Sequence, residues 1–367
     1  MKLIAGFVIG RIGDKTGRKF TVFISTSIMA ISCVAMANIG TYTEIGIVAS
    51  IVVIICRMMQ TFSSLGEITG AELYIIEIFK PPYRYVYSAI IRAVSRAGGL
   101  LALIVALFTI SAEFNWRSAF WIGAVIVAVG IIIMVRINET SEFTNYKQAE
   151  PNEQNFKVTK IEKQTIIAYF FIRTTIPTFS YITFIYFSAF MEESLGFTTV
   201  EIMNQNLKVV TALILLMAIP IYFVRKYHPI KIVKINTLLS VIFLLFIPYW
   251  ISNISDVGNS GANLVSLSLL QIASNLIALS TFGETMCFGH FAISRRFTLV
   301  ATISGISITL SYAAVSLSLT PLINCFGYYG LWFIYLPVTI GFLYGINHIE
   351  KLERERGSYL NYPYGKS

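Results

Sequence analysis

The chain alternates between long apolar runs and short polar connections along nearly its whole length. A run of ~20 apolar residues has the length of a helix that crosses a bilayer. The sequence holds ten complete runs of this kind and one partial run. The partial run covers 3–12; the complete ones cover 20–38, 46–78, 86–110, 118–136, 165–190, 204–224, 232–251, 262–288, 297–319 and 328–347. This pattern predicts an all-α, polytopic membrane protein, because in lipid a helix satisfies its own backbone hydrogen bonds.

The polar connections alternate in charge. Lys and Arg collect in 11–19, 80–96, 136–163, 225–234, 295–296 and the tail from Lys351 to Lys366. The intervening connections 39–45, 111–115, 191–203, 252–261 and 320–327 contain neither, and carry Glu44, Glu113, Glu192, Glu193, Glu201 and Asp256 instead. By the positive-inside rule the basic connections and the C-terminus face the cytoplasm.

Composition agrees. Of 367 residues 56% are hydrophobic and 13% charged, where a soluble domain has about 25% charged. The net charge of +9 is spread over short connections and forms no single basic face, so it reports topology and not a nucleic-acid partner. Cys33, Cys56, Cys287 and Cys325 are far apart, mostly inside apolar runs, and read as small packing residues. His228, His290 and His348 are isolated. No metal-ligand spacing, phosphate loop or nucleophile–base set is present, so the expectation is no enzyme, no cofactor and no metal.

The longest polar stretch, 138–164, divides the runs into an incomplete group of five and a group of six. The expected organisation is an N-terminal bundle over 1–137, a central cytoplasmic loop over 138–164, a C-terminal six-helix bundle over 165–348 and a cytoplasmic tail over 349–367. Two six-span halves about a central loop are the layout of a large class of secondary transporters.

The densest charge cluster is "GRIGDKTGRK", residues 10–19. Gly10, Asp14, Lys15, Gly17, Arg18 and Lys19 match every fixed position of G-x-x-x-D-[RK]-x-G-R-[RK]. This resembles the signature loop between the second and third helices of the major facilitator superfamily. Glycines permit a tight reversal, and Arg18 and Lys19 are expected to hold the loop at the surface. Asp14 can pair within the loop or sit at the positive N-terminal end of a neighbouring helix. The resemblance implies two helical bundles and a gating contact at this loop. It also places the loop after two complete spans; here it begins at residue 10, and the first helix and part of the second are expected to be missing.

Residues 55–84, "ICRMMQTFSSLGEITGAELYIIEIFKPPYR", are polar for a span. Arg57, Gln60, Ser64, Glu67 and Ala71 recur every three or four residues and share one helical face. Charged residues inside a span face a cavity or a partner. The stretch is similar to the metabolite:proton symporter family, especially its proline/betaine transporters, at Arg57, Gln60, Phe62, Ser63, Gly66, Glu67, Gly70, Ala71, Glu77, Pro81 and Arg84. Residues 115–143 resemble the same family at Trp116, Arg117, Phe120, Glu139, Thr140 and Phe143. Thr61 and Leu65 depart from its glycines, and Glu72 adds an acid.

The resemblance implies proton-coupled symport of a small zwitterionic or carboxylate solute in a bacterial inner membrane, with lipid, solute and protons as partners. It gives Arg57 the solute carboxylate or an acid to balance, and Glu67 either the proton or a fixed ion pair with an arginine. Arg92 and Arg96 are ligands or lipid-interface anchors. In the second group Arg173, Lys208 and Glu284 are candidate pathway residues, Arg296 matches a family arginine, and Pro177, Pro220, Pro248 and Pro337 are expected to kink their helices. The counterpart of the signature loop, 222–234, keeps Arg225, Lys226 and Lys231 but lacks the aspartate and glycines. Two alternatives stand beside transport of such a solute: a truncated, non-transporting remnant, and a sugar porter of the same superfamily.

Overall fold

The computed structural model describes residues 1–111, 115–149, 160–257, 261–279 and 282–357, and every regular element among them is helical. Glu113, most of the central polar stretch and the tail beyond Gly357 lie outside the described residues, as do the side chain of Asp256 and its neighbours. The helices are α1 (Lys2–Thr16), α2 (Arg18–Asn38), α3 (Tyr42–Ile45), α4 (Ile47–Ile78), α5 (Tyr83–Ser111), α6 (Arg117–Arg136), α7 (Ser141–Gln148) and α8 (Lys160–Tyr181). They continue as α9 (Phe187–Leu195), α10 (Thr199–Leu216), α11 (Ala218–Phe223), α12 (Pro229–Val257), α13 (Gly261–Asn275), α14 (Phe282–Phe288), α15 (Arg296–Phe326) and α16 (Trp332–Glu355). A π-helical turn, Ile182–Tyr186, joins α8 to α9, and 3-10 turns follow α13 (Leu276–Leu279) and α15 (Gly327–Leu331).

Local chemistry sets the boundaries. Thr41 with Glu44 and Thr198 with Glu201 form reciprocal caps that open α3 and α10. Gly196 closes α9 in the left-handed region, at φ +68°. Pro220 has no N–H to reach the Leu216 carbonyl, and α10 ends at Leu216. Pro177 stays inside α8, with the π-helical turn opening one residue after that helix ends.

A helix stands at each apolar run read from the sequence. Eight stretches among the described residues are long and apolar enough to cross a membrane: Arg18–Asn38, Ile47–Ile78, Tyr83–Ile110, Arg117–Arg136, Thr199–Phe223, Pro229–Ile254, Leu264–Phe288 and Arg296–Glu355, the last containing both α15 and α16. At 15 residues α1 is short, and α8 carries Glu162, Lys163 and Arg173.

The chain forms two compact units. The first comprises Met1–Lys80, Val105–Val158 and Phe291–Ile306. In it α2 packs against α4 and α6, and α1 against α4. The second comprises Pro81–Ile104, Thr159–His290 and Ser307–Ser367. There α8 packs along α16 and α12 along α13. Its buried side chains include Tyr169, Phe179, Phe187, Phe282, Phe288 and Tyr335. Large apolar side chains such as Ile126, Ile132, Leu238 and Ile340 point outward, as lipid-facing positions do.

Candidate functional site

In the first unit the expected loop at 10–19 is mostly helix. Gly10 and Asp14 belong to α1, and the chain reverses at one residue, Gly17, at φ +102°. A Cβ there would lie 2.2 Å from Glu139 Oε2, so both the conformation and the space require glycine. Glu139 uses that approach: its oxygens accept from the Arg18 amide at 3.2 Å and the Lys19 amide at 3.1 Å, capping α2. Lys15 is exposed, and Lys19 donates to the Val135 carbonyl at 3.3 Å.

Asp14 sits at the N-terminus of α15. Its two carboxylate oxygens accept from the Phe297 and Thr298 amides, each at 2.9 Å. Of the two arrangements open to Asp14, the structure has the helix cap. Burial pushes its carboxyl above the usual carboxylate range, against the pull of those hydrogen bonds and of Arg18. The α1 backbone reaches α15 closely enough that a Cβ on Gly10 would stand 2.5 Å from the Thr298 Cα.

Arg18 corrects its expected role as a surface anchor. It is wholly buried, donating to Glu77 Oε1 through Nε at 2.9 Å and Nη2 at 2.7 Å. Arg296 Nη1 reaches the same oxygen at 3.0 Å and Glu142 Oε1 at 3.2 Å. Thr140 Oγ1 donates to Glu77 Oε2 at 2.7 Å while capping α7 through the Phe143 amide. The Phe143 ring lies 4.7 Å from the Arg18 guanidinium. Two guanidiniums thus face two carboxylates. Spacing along the sequence does not bring Glu77 and Glu142 together in this network; the motif matches at Glu77, Glu139, Thr140 and Phe143 are the signal it leaves.

Along α4 the polar stripe is only partly joined. Arg57 is exposed on α4 and donates to Gln60 Oε1 at 3.2 Å. It does not pair with Glu67. Ser63 Oγ lies 3.1 Å from Glu67 Oε1 and also donates to the Ser25 carbonyl at 2.6 Å. Among the described residues no cation pairs with Glu67. Ser64 Oγ donates to the Thr61 carbonyl at 3.1 Å. Glu72 is buried on this helix.

In the second unit Glu284 is buried between two arginines. Its Oε2 lies 2.5 Å from Arg92 Nη2 and 3.1 Å from Arg173 Nη1. Arg92 is therefore an ion-pair partner and not a lipid-interface anchor. Lys208 is exposed on α10. A buried amide and hydroxyl network lies further along: Gln205 Nε2 donates to Ser268 Oγ at 2.7 Å, Gln271 Nε2 to Asn206 Oδ1 at 3.2 Å and to the Thr183 carbonyl at 3.0 Å, and Asn275 Nδ2 to Thr183 Oγ1 at 3.2 Å. These neutral groups leave no charge signal in the sequence, although Ser268, Gln271 and Asn275 share a helical face.

Two titratable groups lie in connections between spans. His228 Nδ1 accepts from the Ile230 amide at 3.3 Å at the start of α12. Burial lowers its pKa to about 4, with Glu353 and Glu350 pulling the other way. The Thr41 cap holds the exposed Glu44 carboxyl below the usual range. Cys33, Cys56 and Cys287 are buried, whereas Cys325 is exposed, against the reading of all four as packing residues. Among the described residues no cluster of His, Cys, Asp and Glu could hold a metal ion.

Three kinds of likeness agree with this architecture. The chain is 28% identical over 168 residues to the "Putative proline/betaine transporter" of Staphylococcus aureus (strain COL), a match covering 44% of this chain and 36% of that protein. It is 25% identical over 353 residues to the "Ectoine/proline transporter ProP" of Corynebacterium glutamicum, covering 88% and 66%. It is 33% identical over 150 residues to the "Proline/betaine transporter" of Escherichia coli (strain K12), covering 39% and 30%. The matches thus span from about a third to two thirds of these relatives' lengths. Among solved structures, the proton:xylose symporter XylE superposes with a TM-score of 0.71 at 14% identity, over 96% of this chain and 84% of that one. The human organic anion transporter MFSD10 (TETRAN) superposes with a TM-score of 0.66 at 15% identity, over 95% and 80%. The family model described as Major Facilitator Superfamily matches residues 1–289. With that match the chain belongs to the Major Facilitator Superfamily, whose members are multi-pass membrane carriers and not enzymes.

Proposed function

We propose that the protein is a proton-coupled symporter of a small zwitterionic or carboxylate solute such as proline or glycine betaine. The observation that carries this reading is Glu67, an acid within a membrane-spanning helix that has Ser63 beside it and no cationic partner among the described residues. A carboxyl bonded to a hydroxyl can take up and release a proton without breaking an ion pair, as a coupling group must. Arg57, Gln60, Ser64 and Glu72 on the same helix, with Arg173 and Glu284, complete the proposed pathway. Proline and betaine come from the names of the relatives above.

The reading includes an orientation and a division of labour. The basic connections and the C-terminus face the cytoplasm of a bacterial inner membrane. Residues 1–137 and 165–348 act as the two bundles, with the 138–164 stretch between them. Gly10, Asp14, Lys15, Gly17, Arg18 and Lys19 form the gating loop, supported by the Asp14 cap and the Arg18–Glu77 pair.

The test is uptake of labelled proline and glycine betaine into vesicles holding the purified chain. Accumulation under an inward proton gradient, abolished by a protonophore, is the expected result. No accumulation of either solute by a folded, inserted protein removes this reading.

A further inference from the structure

The connection 222–234 keeps the cations of the signature loop but has lost its aspartate and glycines. Arg225, Lys226 and Lys231 are all exposed there, whereas Lys234 pairs with Glu350. Lys231 stands on the wall of a cavity of about 670 Å³ that lies entirely within the second unit. Phe223 and Tyr227, which flank Arg225 and Lys226 in the chain, line it too.

Two interruptions of helical regularity border this cavity. On one side α10 ends at Leu216, four residues before Pro220, and the chain resumes as α11. On another α13 gives way to the 3-10 turn Leu276–Leu279. The third side is α12, through Ile235 and Leu239, and Asn236 Nδ2 fixes that helix to the turn by donating to the Leu276 carbonyl at 2.8 Å. Leu279 also belongs to a buried cluster with Val209, Leu213 and Met217, so the cavity backs onto close-packed apolar core. Among the described residues no acid lines it.

The stretches Thr199–Phe223 and Pro229–Ile254 are each long and apolar enough to cross a membrane, and the cavity lies where one ends and the next begins. Chain at such a junction meets the headgroup layer of the bilayer. Ile219, Ile235 and Leu239 are exposed on the cavity wall, so its apolar side is open to lipid. We propose that this cavity is a site for an anionic phospholipid, with an acyl chain against the apolar wall and the phosphate on Lys231. Arg225 and Lys226 add to the attraction. Basic pockets between spans recognise anionic headgroups, whereas the ammonium of a zwitterionic lipid offsets its phosphate and is repelled by the same cations. The site does not depend on which solute the protein carries.

The test is native mass spectrometry of the purified full chain, released from detergent with equal amounts of phosphatidylglycerol and phosphatidylcholine bearing the same acyl chains. The first phosphatidylglycerol is expected to bind about fivefold more tightly than phosphatidylcholine, the scale of one lysine beside an anionic headgroup. Lys231→Gln should remove that preference and Lys231→Arg should keep it. Ile235→Trp, at an exposed position on the wall, fills part of the cavity without entering the core and should weaken retention of both lipids. Lys351→Gln, at a side chain 74% exposed in another basic segment, should leave the preference unchanged. Equal binding of the two lipids by the wild type overturns the proposal, as does an undiminished preference in Lys231→Gln or undiminished retention in Ile235→Trp. An equal loss in Lys351→Gln overturns it by showing general charge attraction. Displacement of the lipid by glycerol 3-phosphate overturns it as well, because the site would then need no acyl chain.

Discussion

Glu77 Oε1 lies 2.7 Å from Arg18 Nη2, and neither side chain is exposed. The pair joins the reversal after α1 to the end of α4, and Arg296 brings the first residue of α15 to the same oxygen. Removing one partner of a buried ion pair strands the other, at a cost of about 3–5 kcal/mol. Glu77→Gln would strip the buried Arg18 guanidinium of its paired carboxylate and leave Arg296 with Glu142 alone. The expected result is a large fall in the melting temperature of the purified protein, with much of the loss recovered when Arg18→Met is added. Wild-type stability in Glu77→Gln would mean that the network is not held as described.

The Asp14 cap makes a local prediction. Asp14→Ala removes both acceptors from the first turn of α15, whereas Asp14→Asn keeps one. Losing such a cap costs about 0.5–2 kcal/mol. Hydrogen exchange at the Phe297 and Thr298 amides should quicken strongly in the alanine variant and less in the asparagine variant. Equal protection in all three proteins would exclude the cap.

His228 gives the protein an acid-side liability. Its pKa is about 4 when folded and 6.5 in an unfolded chain, so between those values the unfolded state binds more protons. The neutral ring's contribution is complete above pH 6.5, declines as pH falls towards 4, and no longer changes below that. Protonating Nδ1 would also break its bond to the Ile230 amide and place a positive charge at a helix N-terminus. His228→Asn keeps an acceptor at the cap and removes the titration. Melting temperatures of wild type and variant should run parallel above pH 7 and separate on acidification, by roughly 1–3 kcal/mol of stability at pH 4. Parallel curves throughout would show that the ring is not buried neutral.

The proposed threading is tested by impermeant thiol labelling from outside intact cells, with the native cysteines replaced by serine. Lys15 and Glu192 are both exposed positions on connections of opposite character. A cysteine introduced at 192 should react and one introduced at 15 should not. Reaction of both, or of 15 alone, would contradict the orientation.

The spans were legible because lipid imposes one simple requirement, a long apolar run, and each run left a helix. The Asp14 site was legible to within two alternatives, since an acid among bases has few places to go. The Glu77 network was not, because its contacts join residues 59, 63 and 219 positions apart, and no local spacing encodes that. The same applies to Glu284, whose partners Arg92 and Arg173 lie 192 and 111 positions away. Arg57 and Glu67 show that sharing a helical face does not by itself make a pair. Helical periodicity put them on one face, yet the side chains found other partners nearer to hand: Gln60 for one and Ser63 for the other. Arg18 was misjudged because a basic residue beside a turn is ordinarily solvated, and only its distant carboxylate allows it to be buried.

The central claim, that Glu67 carries the coupled proton, is tested most directly by proton flux. Vesicles containing the purified protein and a trapped pH-sensitive dye are given glycine betaine outside, with no gradient imposed. Acidification of the lumen on adding solute, absent in Glu67→Gln although solute exchange persists, is the predicted result. Solute entry without acidification in the wild type, or undiminished acidification in Glu67→Gln, would contradict it.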